Sequence, residues 1–168
     1  AAGLCESLLS ADSERVRAAA FRGLISAKPS QSTAMILAGL AAEEPWRRAV
    51  AADCVLEIEK PEEIEIVARA MPGLPVEGKI AAFVSLKDRC NPAVREAALA
   101  SLALTQTEVR TTALAALIAS GTAEDVSTLA DLASTAEDLE VRNAAFETLR
   151  LMTADGTNRA MIALMSGV

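Results

Sequence analysis

Residues 105–121, Thr105-Gln-Thr-Glu-Val-Arg-Thr-Thr-Ala-Leu-Ala-Ala-Leu-Ile-Ala-Ser-Gly121, read as one complete amphipathic helix. Thr105 and Glu108 have the spacing of a capping box, in which each side chain satisfies an unpaired N–H of the first turn. Val109, Ala113, Leu117 and Ile118 recur at helical spacing and share one face. Gly121 stands where the helix should stop.

The same helix recurs along the chain. Arg17, Arg48, Lys79, Arg110 and Arg142 follow one another at intervals of 31, 31, 31 and 32 residues. Three positions on lies an unbroken alanine column: Ala20, Ala51, Ala82, Ala113, Ala145. The next column is Phe21, Ala52, Phe83, Leu114, Phe146, and the column seven past the basic position is Leu24, Val55, Leu86, Leu117, Leu149. Between them runs a column of small residues, Gly23, Cys54, Ser85, Ala116, Thr148. A period between about 20 and 50 residues signals a solenoid, in which each unit packs only on its neighbours.

Between the template helices lies a second type of helix. Residues 2–10 read as one that leads the chain, so the sequence is expected to begin within a repeat, either cut from a longer protein or trimmed of an irregular N-terminal cap. Asp12 or Ser13 caps the first template helix, about 13–26, and Lys28-Pro-Ser-Gln31 turns into a second-type helix, Ser32 to Leu40, with Leu37 and Leu40 inward. Glu44-Pro45 and Lys60-Pro61 open the next two helices with proline at the first position, where a missing N–H does no harm. Met71-Pro-Gly-Leu-Pro75 is a break, residues 76–87 are the weakest template copy, and Asn91-Pro92 starts a helix to about Leu104. Thr122 and Asp125 form another capping box, for a helix to about Ser134. Asp138 to Leu151 is the fifth template helix, and Thr157 caps a last helix ending at Ser166-Gly167. The extra residue of the longer interval falls in the loop 134–138, and no strand pattern occurs.

The chain thus reads as one domain, 1–168, with repeats at about 12–42, 43–73, 74–104, 105–135 and 136–168 after a partial leading repeat, 1–11. Of its 168 residues 52% are apolar but only 2% aromatic, so the core must be built from Ala, Leu, Val and Ile. The net charge of −7 argues against nucleic acid as a partner, since phosphate binding rests on cationic contacts. It also disfavours anionic membrane surfaces, and no apolar run reaches the roughly 18 residues that span a bilayer.

Val16-Arg17-x-Ala19-Ala20, Val109-Arg110 with Ala113 and Leu117, and Val141-Arg142-x-Ala144-Ala145 with Leu149 resemble the HEAT-like repeats associated with phycobilisome lyases. Arg47-Arg48 and Gly78-Lys79 are degraded copies of that motif. Val94-Arg95-Glu-Ala-Ala98 matches it locally but falls in a second-type helix, outside the 31-residue frame. The resemblance implies an all-α, right-handed α-α superhelix of five helix pairs plus one leading helix. It further implies a scaffold more often than an enzyme, with a bilin-lyase-like enzyme or chromophore chaperone, or a HEAT-like DNA glycosylase, as the other functions of such arrays.

Catalytic equipment is sparse. Histidine, the commonest general base, is absent, and so is tyrosine. No GxSxG, Walker A or HExxH pattern occurs. Cys5, Cys54 and Cys90 lack metal-ligand spacing, and Cys54 sits in the small-residue column, where packing explains it. Cys90, between Arg89 and Asn91 in a loop, is the thiol best placed for reactivity. The acidic stretch Glu57–Glu65 contains no calcium-loop pattern and reads as a solvated face, helped by the macrodipole at Glu62 and Glu63. Trp46 reads as a packing or capping residue, and all three Phe as members of the core column. The basic ladder reads as structural, bonded to acidic or hydroxyl groups at the helix starts: Asp12, Glu43, Thr105 and Glu137.

These features predict a non-catalytic module that needs no cofactor or metal. Its partner is a protein or peptide, or flanking domains of its own chain. The predicted partner-binding residues are the polar ones of the second-type helices: Glu62, Glu65, Arg69, Glu96, Glu124, Asp125 and Asp131. Glu62, Glu65 and Glu124 are expected to be exposed and uncommitted. A bilin site would need an aromatic pocket, and a glycosylase would need a basic groove.

Overall fold

The computed structural model describes residues 2–166, among which there are eleven α-helices and no strand. They are α1 (Ala2–Leu8), α2 (Glu14–Ala27), α3 (Ser32–Leu40), α4 (Pro45–Leu56), α5 (Pro61–Ala70) and α6 (Val76–Leu86). These are followed by α7 (Pro92–Ser101), α8 (Thr107–Ser120), α9 (Val126–Thr135), α10 (Leu139–Leu151) and α11 (Thr157–Ser166). Short 3₁₀ turns at Pro29–Gln31, Met71–Gly73 and Ala123–Asp125 lead out of α2, α5 and α8. The protein is therefore all-α, with the helix types alternating as the sequence predicts. Gly167, read as the final stop, lies outside the described residues.

The chain divides between Ser85 and Leu86, near the end of α6, into two compact units. In the first, α1 packs on α2, α3 on α4, α2 on α4 and α3 on α5. Small residues set the approach. A Cβ at Gly39 of α3 would lie 2.7 Å from the Cβ of Ala51 and 3.0 Å from the Phe21 ring. The alanine column here (Ala20, Ala51, Ala82) is buried, with Phe21, Phe83, Leu24 and Val55 around it. The Ser85 hydroxyl donates to the Ala52 carbonyl at 2.9 Å, joining α6 to α4. The leading helix α1 is held by Lys28–Glu6, 2.6 Å, and by Cys5 against Gly23.

In the second unit α7 packs on α8, α8 on α10, α9 on α10 and α9 on α11. Ala113 and Ala145 continue the alanine column without exposure, among Val109, Leu114, Leu117 and Val141. The Thr148 hydroxyl donates to the Leu114 carbonyl at 2.9 Å. Ser85 and Thr148 therefore make the same contact, from the small-residue column to the preceding template helix.

Several local expectations are corrected. The Thr105–Glu108 capping box is not formed: Gln106 is the N-cap of α8, without a side-chain cap. One residue on, the Thr107 hydroxyl instead donates to Asp138, the N-cap of α10. Gly121 does end α8, but in extended rather than left-handed backbone. Phe146 is 61% exposed and is not a core residue, because it lines an open cleft between α9, α10 and α11.

The two degraded motif copies have structural causes. A Cβ at Gly78 would lie 2.4 Å from the Leu40 carbonyl oxygen, so α6 approaches the end of α3 too closely for valine. At Arg47 the guanidinium stands 5.6 Å from the Phe21 ring centroid and 5.1 Å from that of Trp46, replacing an apolar contact with a cation–π one.

Candidate functional site

The basic ladder is internal wiring in the first unit, though its partners differ from those expected. Arg17 Nη1 donates to the backbone carbonyls of Ala11 and Asp12 at 2.8 and 2.9 Å. Arg48 Nη1 does the same to Ala42 and Glu43 at 2.7 and 2.8 Å, and Lys79 Nζ donates to Leu74. The acceptors are thus main-chain carbonyls of the segment entering each template helix, not the carboxylates of Asp12 and Glu43. In the second unit the Nε of Arg110 is buried without a hydrogen-bond partner. The Thr107 hydroxyl and the Glu140 N–H hold the Asp138 carboxyl below its ordinary range, with a smaller contribution from the Arg110 charge. Trp46 meets Phe21 edge-on at 6.3 Å, and Arg17 lies 5.5 Å from its ring, so the single Trp packs as expected.

The predicted partner-binding residues separate into committed and free groups. On α5, Glu62 is exposed, whereas Glu65 is paired with Arg69 at 2.5 Å. On α7 and α9, Glu96 and Asp131 are exposed. Asp125 is only 4% exposed and cannot meet a partner directly. It takes two bonds of 2.7 Å from Arg95, an α7 residue, and accepts from the Thr122 N–H at 2.8 Å. Glu124, expected to be uncommitted, lies 3.5 Å from the same guanidinium. Burial pushes the Asp125 carboxyl up, but the bonds from Arg95 and Thr122 outweigh it and hold the group below its ordinary value. The Arg95–Asp125 link was missed in the sequence, although the Thr122–Asp125 capping box pointed to half of it.

Clefts open on the surface of both units. In the first unit a cleft of about 340 Å³ lies where α2 and α4 end and α3 and α5 begin. Its floor includes Ile25, Ile36, Cys54 and Ile58, all buried, and its rim carries Glu57, Glu59, Lys60 and Glu63. In the second unit a cleft of about 430 Å³ is lined by Val126, Ala130, Phe146, Leu149, Met161, Leu164 and Met165, with Arg150 beside them. The acidic stretch Glu57–Glu65 is therefore not only a solvated face, since part of it rims the first cleft.

Cys54 is buried, Cys90 exposed and Cys5 half-buried, all three as free thiols. Burial raises the Cys54 thiol, which keeps it protonated and a poor nucleophile. Among the described residues no group of three or more Cys, Asp or Glu could hold a metal ion, and no helix is long and apolar enough to cross a membrane. No protein-family model matches the chain, and no curated protein matches it.

Proposed function

We propose that the chain is a non-catalytic protein- or peptide-binding module, built as a right-handed α-α superhelix of HEAT-like repeats. The observation that carries this reading is how the charges are used. Arg17, Arg48 and Lys79 of the template helices are spent on main-chain carbonyls, while Glu62, Glu96 and Asp131 on the second-type helices are exposed. The alanine column of the 31-residue frame is also buried throughout, as stacked repeats require. Free carboxylates on one class of helix steer a basic or neutral segment and select against acidic ones. The bilin and DNA readings gain no support from the side chains, since Phe21 and Trp46 are already packed with Arg17 and Arg47.

The test is partner capture with the whole chain followed by affinity measurement. The Glu62→Gln, Glu96→Gln double variant should melt like the parent yet bind the captured partner more weakly. Arg48→Ala should lose about 1–2 kcal/mol of stability, because two charged hydrogen bonds vanish, with little direct effect on affinity. If Arg48→Ala abolished binding while melting normally, the ladder would be the recognition surface and the reading would fall.

A further inference from the structure

Resting on the reading of the chain as a peptide-binding module, we propose that the cleft between the ends of α2 and α4 receives one long cationic side chain, lysine or arginine, of a partner peptide. The floor is apolar and preformed: Ile25, Ile36 and Ile58 are each no more than 6% exposed. The Cys54 thiol, also 6% exposed and free, completes it. An aliphatic stem suits such a floor, because lysine and arginine bury their methylenes while keeping the charge in water.

The rim selects the head group. Glu57 is held by Arg22, which also lies 3.8 Å from Asp53, and Glu63 is held by Lys60 at 2.8 Å. Glu59 lines the cleft, is exposed and has no ion-pair partner among the described residues. Helix ends do not override this. The C-termini of α2 and α4 and the N-termini of α3 and α5 meet here, so their opposite partial charges offset one another. Around the cleft stand Asp53, Glu57, Glu59 and Glu63 against Arg22 and Lys60, a surplus of carboxylate that favours a cation and repels an anion. The incoming head group would bond Glu59 and share Glu63 with Lys60.

The experiment is an amide NMR titration of the full isotope-labelled chain with three blocked peptides that differ only in a central lysine, norleucine or glutamate, and separately with n-hexylamine. The lysine peptide should shift amides of residues 25–36 and 54–63, the norleucine peptide should do so more weakly, and the glutamate peptide not at all. The lysine peptide should also slow maleimide labelling of Cys54 in a Cys5→Ser, Cys90→Ser background. Glu59→Gln with Glu63→Gln should weaken the lysine peptide by roughly threefold to fivefold, the range of an exposed ion pair, without changing the melting temperature. Equal binding of the lysine and glutamate peptides, shifts confined to other residues, or no shift at millimolar peptide would each overturn the proposal. Hexylamine binding as tightly as the lysine peptide would overturn its assignment to a peptide. Partner capture that survives loss of the cleft leaves the module reading intact and removes only this inference. Cleft binding without any captured partner does the reverse.

Discussion

At the scale of single residues, position in a column does not settle environment. Phe83 and Phe146 occupy the same column, yet Phe83 is fully buried and Phe146 is 61% exposed. Phe83→Ala should therefore cost about 3–5 kcal/mol, as for a core aromatic, and Phe146→Ala under about 1 kcal/mol, a contrast that urea denaturation measures directly. Ala113 has no exposed surface, and Ala113→Leu should lose roughly 1–3 kcal/mol through overpacking; an unchanged midpoint would place the column elsewhere. Asp125 gives a pH prediction. Its folded-state proton affinity lies below the ordinary carboxylate value of about 3.9, so its contribution is fully present above that pH and is lost as pH falls through the folded value. Arg95 stays charged throughout. Asp125→Asn should thus destabilise by roughly 1–3 kcal/mol at neutral pH, and the gap from the parent should shrink as pH is lowered below about 3.9.

For helices as elements, the boundary residues were legible because their chemistry is local. Pro45, Pro61 and Pro92 each stand at the first helical position, and the Asn91 side chain accepts from the Ala93 N–H at 2.9 Å. Capping was a weaker guide at α8, whose N-cap is Gln106 without a side-chain cap, while the nearby Thr107 hydroxyl bonds Asp138, 31 residues away. Gly78 makes the same point from packing. In an isolated helix Gly78→Ala should gain up to about 1 kcal/mol in propensity. Here the new Cβ meets a main-chain oxygen at 2.4 Å, which cannot rotate aside, so the substitution should lower the melting temperature. A higher melting temperature would mean that α6 shifts away from α3 without cost.

In the whole molecule, burial is uneven within each unit. Helix α1 has no buried residue and α11 only Thr157, whereas α4 buries Ala51, Cys54 and Val55 and α8 buries six residues. Native-state hydrogen exchange should show α1 opening before α4, and α11 before α8, because local opening follows the loss of few apolar contacts. Uniform protection within either unit would contradict coupling between nearest neighbours only.

The repeat period, the all-α class, the alternation of helix types and the buried alanine column were determined by sequence alone. Each depends on spacing along one helix, and spacing is a one-dimensional property. What only the tertiary structure decided lies between helices. It replaced the carboxylate partners of Arg17 and Arg48 with main-chain carbonyls, and it withdrew Asp125 from solvent by placing Arg95 of α7 against it. It exposed Phe146, and it turned Glu59 and Glu63 from part of a solvated run into the rim of a cleft floored by Ile25, Ile36 and Ile58. The physical reason is the same in each case. Whether a polar side chain is spent or free depends on which other helix comes within hydrogen-bond reach, and no periodicity within a single helix encodes that distance.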